Sequence, residues 1–450
     1  KQMKTKRVLS LLLALIIVVL CLSSCTPAEG GTTTTSSAGG TEQIEKKDYV
    51  SELKFNMNSE TKKQVVTVKT YVDGDTTHFH VPEDVIPGGV LKARYLAIDT
   101  PESTGKIEEY GKKASEFTRA KLSSAVSIIV ESDSEKWNLD STGSRYLVWV
   151  WYKDSEDGAY RNLNLEILQN GLAAASSTGN NRYGSICLSA LAQARAEKLN
   201  VYSGEKDPDF YYGDAVELTL RELRLNVSDY TNTKVAFEGV ITRNDGRSIY
   251  IEDYDSDSGL YFGMTVYYGF GLSGAGLSII SVGNRARIVG TVQYYEAGDS
   301  YQVSGLTYRQ MKPDDPGNIK KISDGHKPAF TPVSAEKFAS GTVTLEDDGK
   351  EYRFAELALY TSVSMEDLTV KSIYTTSSDD SSSKGAMTIT CEKGGVTVTV
   401  RTTVLMDKDG KLVTADRYEG KNISVRGIVD HYDGEYQIKV LSTDDITINN

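Results

Sequence analysis

Val65-Val66-Thr67-Val68-Lys69-Thr70-Tyr71-Val72-Asp73-Gly74-Asp75-Thr76-Thr77-His78-Phe79-His80 reads as two β-strands joined through an acidic turn. Residues 65, 66, 68 and 71 are β-branched or aromatic and favour extended backbone. Asp73-Gly74 ends the run because glycine accepts the backbone angles of a tight turn. Outward from there, a third strand is expected over 92–98, ending in Asp99-Thr100-Pro101. Residues 110–122 place Ala114, Phe117 and Leu122 roughly on one side, which marks an amphipathic helix. Strands over 126–131 and 146–152 follow, then a short helix over 164–169 stopped by Gly171, and a last helix over 188–199. Five strands with three helices predict a small barrel with helices packed against it, spanning 60–205.

The chain has 450 residues, too many for one ordinary core, and two further β-rich modules are expected at 215–311 and 346–450. Gly283-Asn284-Arg285-Ala286-Arg287-Ile288-Val289-Gly290-Thr291-Val292 is echoed by Gly420-Lys421-Asn422-Ile423-Ser424-Val425-Arg426-Gly427-Ile428-Val429. The spacing is far above the roughly 20–50 residues of solenoid repeats, so it indicates tandem domains. Each unit alternates, carries a glycine where a barrel strand would bend, and has a hairpin (296–300, 433–435), a pattern that resembles OB-fold barrels. Residues 312–345, with Pro313, Pro316, Pro328 and Pro332, read as a linker, and 377–384, nearly all serine and aspartate, as a loop. The expected fold class is therefore mainly β with α: an OB-type five-stranded barrel with three helices, followed by two OB-like β-barrel modules.

The formal net charge is -12, and the first 25 residues add four cations and no anions. So acidic a chain does not hold nucleic acid tightly by counterion release, and any action on it must come from a local site. Lys4, Lys6 and Arg7, then apolar residues 11–22 and Ser23-Ser24-Cys25, form a secretory signal. Leu22-Ser23-Ser24-Cys25 resembles a bacterial lipobox, which implies cleavage after residue 24, a lipid on Cys25 and anchorage on the extracellular face of the membrane. An uncleaved anchor or an ordinary signal peptide are the alternatives, and the rest of the chain lies outside the cytoplasm in every case. The polar tract over 26–48 reads as a tether. Only Cys187 and Cys391 remain in the body, which implies no disulfide framework.

Phosphodiester hydrolysis needs a cation against developing charge, arginines on the phosphoryl oxygens, and a carboxylate to position or deprotonate water. Residues 73–145 contain all of these types: Asp73, Asp75, Arg94, Asp99, Glu102 and Arg145. Each has an ordinary use as well. Asp-Gly is a common turn, Asp99-Thr100-Pro101-Glu102 can cap a helix, and an arginine at 145 can be a solvated strand residue. Arg94 and Asp99 are five apart, so on a regular strand they face opposite ways unless a bend turns Asp99 back. His78 and His80 read as a plain strand face, because no cysteine or third histidine accompanies them.

The combination is more specific than its members. Val72-Asp73-Gly74-Asp75-Thr76, Arg94-Tyr95-Leu96-Ala97-Ile98-Asp99-Thr100-Pro101-Glu102, Tyr110-Gly111-Lys112-Lys113-Ala114-Ser115, Arg145-Tyr146-Leu147, Gly171-Leu172-Ala173 and Ala194-Arg195-Ala196-Glu197-Lys198-Leu199-Asn200 occur in the order found in staphylococcal-nuclease-like proteins. The chain resembles that family over about 65–203. The resemblance implies a calcium-dependent endonuclease acting on DNA and RNA. It assigns Asp75, Asp99 and the Thr100 carbonyl to calcium, Glu102 to the attacking water, Arg94 and Arg145 to the phosphate, and Asp73 to a supporting carboxylate. Two stretches depart from the pattern. The chain reads Thr142-Gly143-Ser144-Arg145 where the family has Tyr-Gly-Arg, and Ser176-Ser177-Thr178-Gly179 where the family places stacking tyrosines. Tyr183 or Trp137 would be the substitutes.

Residues 215–310 carry 8 Lys and Arg against 11 Asp and Glu, and residues 361–450 carry 10 against 14, whereas 61–204 is nearly balanced at 17 against 18. The charges therefore argue against nucleic-acid binding by the two later modules, despite Tyr294, Tyr295, Tyr301, Tyr432 and Tyr436, and leave a spacer or contact role. Nothing in the sequence calls for an obligate protein partner. The rival to the enzyme is a non-catalytic surface module that binds nucleic acid or protein; a pure binding role does not require the full acid and arginine set.

Overall fold

The computed structural model describes residues 46–449 apart from 296–297, 347–348, 379–380 and 382. The signal, the lipobox cysteine Cys25 and nearly all of the tether lie outside the described residues, as do parts of one expected hairpin and of the serine-rich loop. Among the described residues no helix is long and apolar enough to cross a membrane.

The first barrel consists of β1 (Lys63–Tyr71), β2 (Thr76–His80), β3 (Val90–Tyr95), β4 (Ser127–Glu131) and β5 (Tyr146–Lys153), with helices α1 (Gly111–Ser123), α2 (Leu163–Gln169) and α3 (Gly184–Ala196). β1 pairs antiparallel with β2 and β4, β2 with β3, and β4 with β5; a parallel pairing of β3 with β5 closes the ring. Five consecutive residues of β5, from Val148 to Tyr152, are all buried, so both faces of this strand are covered, by the barrel interior and by helices. Trp149 and Trp151 are fully buried, and each indole N–H finds a carboxylate, Asp133 and Glu131 respectively, at 2.8 Å.

The helix expected over 188–199 begins earlier, at Gly184. A Cβ there would lie 1.8 Å from the Thr178 carbonyl oxygen, so only glycine can start the helix against that turn. The folded body also begins before residue 60. Asp48 caps a short helix, Tyr49–Glu52, whose Val50 enters the barrel's apolar core, and the Lys47 N–H donates to Gln193 Oε1 at 3.0 Å.

The second barrel is built from β6 (Lys234–Asn244), β7 (Ser248–Asp255), β8 (Leu260–Tyr267), β9 (Arg285–Tyr295) and β10 (Ser300–Ser304). The third is built from β11 (Ser362–Thr375), β12 (Met387–Lys393), β13 (Val396–Thr402), β14 (Asn422–Tyr432) and β15 (Glu435–Val440). Both close as the first does: the last strand runs parallel to the third, and the fourth pairs back with the first. The repeat seen in the sequence is thus the fourth strand of each barrel. Asp433 and Gly434 both take positive φ, 52° and 81°, the pair of angles a two-residue hairpin turn requires.

The stretch expected to be a linker is folded. Lys320–Ser323 pairs with β9, Thr331–Pro332 pairs with β11, and the helix Ala335–Ser340 buries Ala335 and Phe338. Its prolines punctuate the segment, but Ile319, Val333 and Phe338 anchor it in an apolar core that the second and third barrels share. Cys187 and Cys391 are free, buried and in different cores, and burial pushes both thiols up to about 12.

Candidate active site

The acidic turn sits against α1 because of one glycine. A Cβ on Gly74 would come within 2.8 Å of Thr100 Oγ1 and 2.9 Å of Ala114 Cβ, and the Gly74 carbonyl accepts from Thr118 Oγ1 at 2.6 Å. Asp75 is thereby fully buried at the head of β2. Its Oδ2 accepts the Thr100 N–H at 2.9 Å, and its Oδ1 accepts Thr76 Oγ1 at 3.0 Å and the Arg94 guanidinium. Asp73, also buried, accepts the Asp75 N–H at 3.2 Å.

Arg94 occupies the end of β3, opposite Thr76 in β2 and Leu147 in β5. The strand expected to run to 98 stops at Tyr95, and Ala97 takes φ 67°, a left-handed conformation that is costly with a Cβ. That bend turns Asp99 back toward Arg94. The guanidinium spans both carboxylates, with Nη1 on Asp75 and Nη2 on Asp99. The bend is held by Asn164 of α2, which donates to the Leu96 and Val148 carbonyls at 2.9 and 3.1 Å and accepts the Val150 N–H at 2.9 Å. Asp99 also pairs with Ala174, and the Ser176 N–H donates to the Ala97 carbonyl at 2.9 Å.

Glu102 is half-buried beside these groups. A Cβ on Gly111 would lie 2.2 Å from the Glu102 carbonyl oxygen, so glycine at the start of α1 is what allows this approach. Burial pushes the Glu102 carboxyl above its ordinary value, and the charge of Asp75 adds to the rise. Burial also raises Asp73, with repulsion from Glu102, and raises Asp75 to about 6 against the pull of Arg94. Burial works against the charge of Arg94, but Asp75 and Asp99 outweigh it and hold its pKa above the ordinary value. Asp73, Asp75, Asp99 and Glu102 thus share one guanidinium, leaving an excess of negative charge that favours a cation.

Among the described residues no group of three or more His, Cys, Asp or Glu side chains forms a metal site. The expected set needs only two carboxylates and a backbone carbonyl. Asp75 and Asp99 converge on one cationic group, and carboxylate oxygens are hard donors of the kind calcium takes.

Arg145 immediately precedes β5, whose Tyr146 pairs with Ala93. It lies just outside the strand, two residues before Leu147, the partner of Arg94. Its Nε donates to Asp140 Oδ2 at 2.8 Å; among the described residues no hydrogen bond or ion pair joins it to the four carboxylates around Arg94. The additional residue after Asp140 is absorbed by that aspartate, whose Oδ1 accepts the N–H groups of Thr142, Ser144 and Arg145 at 3.2 to 3.4 Å while Gly143 takes φ 70°. Burial pushes the Asp140 carboxyl up, but the Thr142 hydroxyl and the side chain and backbone N–H of Arg145 together outweigh it and hold the group at about 2.

Tyr183 is not a free stacking group. Its ring packs edge-on against Trp149 and Trp151, with centroids 4.9 and 5.7 Å away, and its hydroxyl reaches Glu131 at 3.4 Å. Trp137 packs against the same core. The sequence marks Asp140 only as the point after which the chain has one residue more than the family pattern, although an aspartate before a glycine turn organises its own loop, and it gives no signal for Glu108.

Residues 92–204 match the family model described as staphylococcal nuclease homologue. The match covers Arg94, Asp99, Thr100, Glu102 and Arg145, while Asp73 and Asp75 precede it and join the site through the β1–β2 turn. The chain therefore carries a staphylococcal nuclease homologue domain, closed into a barrel by the two strands that precede the matched segment.

Proposed function

We propose that the protein is a calcium-dependent nuclease hydrolysing phosphodiester bonds of DNA or RNA, held at the extracellular face of the membrane by a lipid on Cys25. The observation that carries the catalytic part is the crowding of Asp73, Asp75, Asp99 and Glu102 around the single guanidinium of Arg94. Asp75, Asp99 and the Thr100 carbonyl would hold calcium, whose chemistry is to neutralise charge on the phosphoryl oxygens. Glu102, whose proton affinity is raised, takes the proton of the attacking water on its carboxylate. Arg94 and Arg145 bind the non-bridging oxygens; the planar guanidinium donates two parallel hydrogen bonds, which an ammonium does not. Asp75 and Asp99 hold Arg94 and would also hold the ion, so an ion bound there would compete with Arg94 for the same carboxylate oxygens.

Incubation of the purified chain with single- and double-stranded DNA and with RNA tests this reading. Cleavage in calcium that stops in chelator, and that falls by about a hundredfold or more in Glu102→Gln, is expected. Binding without cleavage of any substrate would instead show the non-catalytic module. For the anchor, the basic and apolar N-terminus ending at Cys25 supplies the support, and acyl labelling in a bacterial host should vanish in Cys25→Ala. Labelling that persists would refute lipidation at that cysteine.

A further inference from the structure

The segment from Glu102 to Tyr110 runs between the first and second barrels. Its base is closed on itself: the Glu108 N–H donates to the Glu102 carbonyl at 2.9 Å, and the Glu102 N–H donates to Glu108 Oε2 at 3.2 Å. Its far end is fixed by residues beyond the matched segment. The Tyr110 N–H donates to Asp207 Oδ2 at 2.6 Å, and the Tyr212 hydroxyl donates to Glu109 Oε2 at 2.6 Å. Its flank leans on the second barrel, where Gln293 Nε2 of β9 donates to the Ser103 carbonyl at 3.1 Å. Gln293 Oε1 accepts the hydroxyl of Ser304, which is fully buried in β10. An amide whose oxygen is taken by a hydroxyl must present its NH2 to the other side, so Ser304 fixes which way Gln293 points. Beside it, a Cβ on Gly305 would meet the Gly105 carbonyl oxygen and Ile107 Cδ1 at 3.5 Å, ordinary contact distance.

We propose that Gln293, oriented by Ser304, is a positioning residue for Glu102, and that the second barrel acts within the chain as a brace for the loop carrying the proposed general base. The inference rests on the nuclease reading. A general base has to be held within about 0.5 Å of its working position, and a loop containing glycine does not do that unaided. Ser103 adjoins Glu102, so a hydrogen bond to its carbonyl restrains the peptide unit next to the carboxylate's own backbone. The same contact gives the second barrel a role that its net negative charge does not oppose.

The test uses the full chain and three forms: wild type, Gln293→Glu, which keeps the shape but places an acceptor against the Ser103 carbonyl, and Gln293→Ala, in case the added charge impairs folding. Two readouts are taken. One is kcat and KM for calcium-dependent cleavage. The other is the rate of tryptic cutting after Lys106, an exposed residue in the braced loop, followed by mass spectrometry. Both variants should lower kcat by about tenfold with KM near wild type, and cutting at Lys106 should accelerate about fivefold. An unchanged kcat overturns the positioning role even if cutting accelerates, and an unchanged cutting rate overturns the brace. If wild type cleaves no nucleic acid, the nuclease reading fails instead, and acceleration at Lys106 alone decides whether the second barrel braces the loop.

Discussion

Asp75 and Glu252 are both buried carboxylates associated with the second strand of a five-stranded barrel, one in the first barrel and one in the second. Their surroundings differ. Glu252 accepts three neutral donors, the N–H groups of Ala329 and Ser362 and the Ser362 hydroxyl, at 2.6 to 2.9 Å, and so joins the second barrel to the segment that opens the third. Asp75 also has donors, but Asp73 raises its proton affinity further, and its own charge raises that of Glu102. One barrel satisfies its buried acid; the other crowds several acids together. Identical strand order therefore supports a structural joint in one place and a charged site in another, and function follows the side chains placed on the fold.

The largest effect should come from removing the geometry at Arg94 while keeping its charge. Lysine at 94 can reach only one of the two carboxylates that Nη1 and Nη2 now span, and it presents no fork to a phosphate. Arg94→Lys is expected to lower kcat/KM by roughly a thousandfold, with the barrel still folded. A loss of less than about fivefold in steady-state cleavage would show that charge alone suffices and that the crowding at this end of the barrel is incidental.

The strands of the first barrel were legible because their β-branched and aromatic runs are bounded by turn residues, and the tandem barrels because a glycine-centred strand recurs. The limits lie where tertiary contacts override local pattern. Strand β3 looked longer than it is because Ala97, an unremarkable residue, takes positive φ only under the hold of Asn164 and Ser176. That same bend brings Asp99 to Arg94, so the feature that assembles the site is the one local spacing conceals. The prolines of 312–345 pointed to a linker, since the pattern of a short segment says little about which distant strand it will pair with. Tyr183 looked available for stacking until Trp149 and Trp151, which flank it only in the folded barrel, enclosed its ring. Gln293 carries no signal at all: a glutamine in an alternating strand acquires meaning only from the loop that the fold sets against it.

The smaller effect belongs to Glu252. Glutamine at that position keeps the volume but turns an NH2 toward backbone or hydroxyl donors, leaving one of them unpaired, so Glu252→Gln is expected to cost about 1–3 kcal/mol at neutral pH with cleavage kinetics unchanged. Burial pushes the Glu252 carboxyl above its ordinary value even though its three donors pull the other way. A folded-state pKa above the unfolded one, about 4.3, means that the folded chain holds the proton more tightly. The stabilising share of this group is then complete below the unfolded value and is lost as pH rises through the folded one. The wild type therefore gains stability on acidification in a way the glutamine variant does not, and the gap between them should widen as pH is lowered from 7 toward 4.5. Urea unfolding at the two pH values reads this directly. A gap that narrows at low pH would mean that the three donors outweigh burial, and that Glu252 behaves as a well-paired carboxylate.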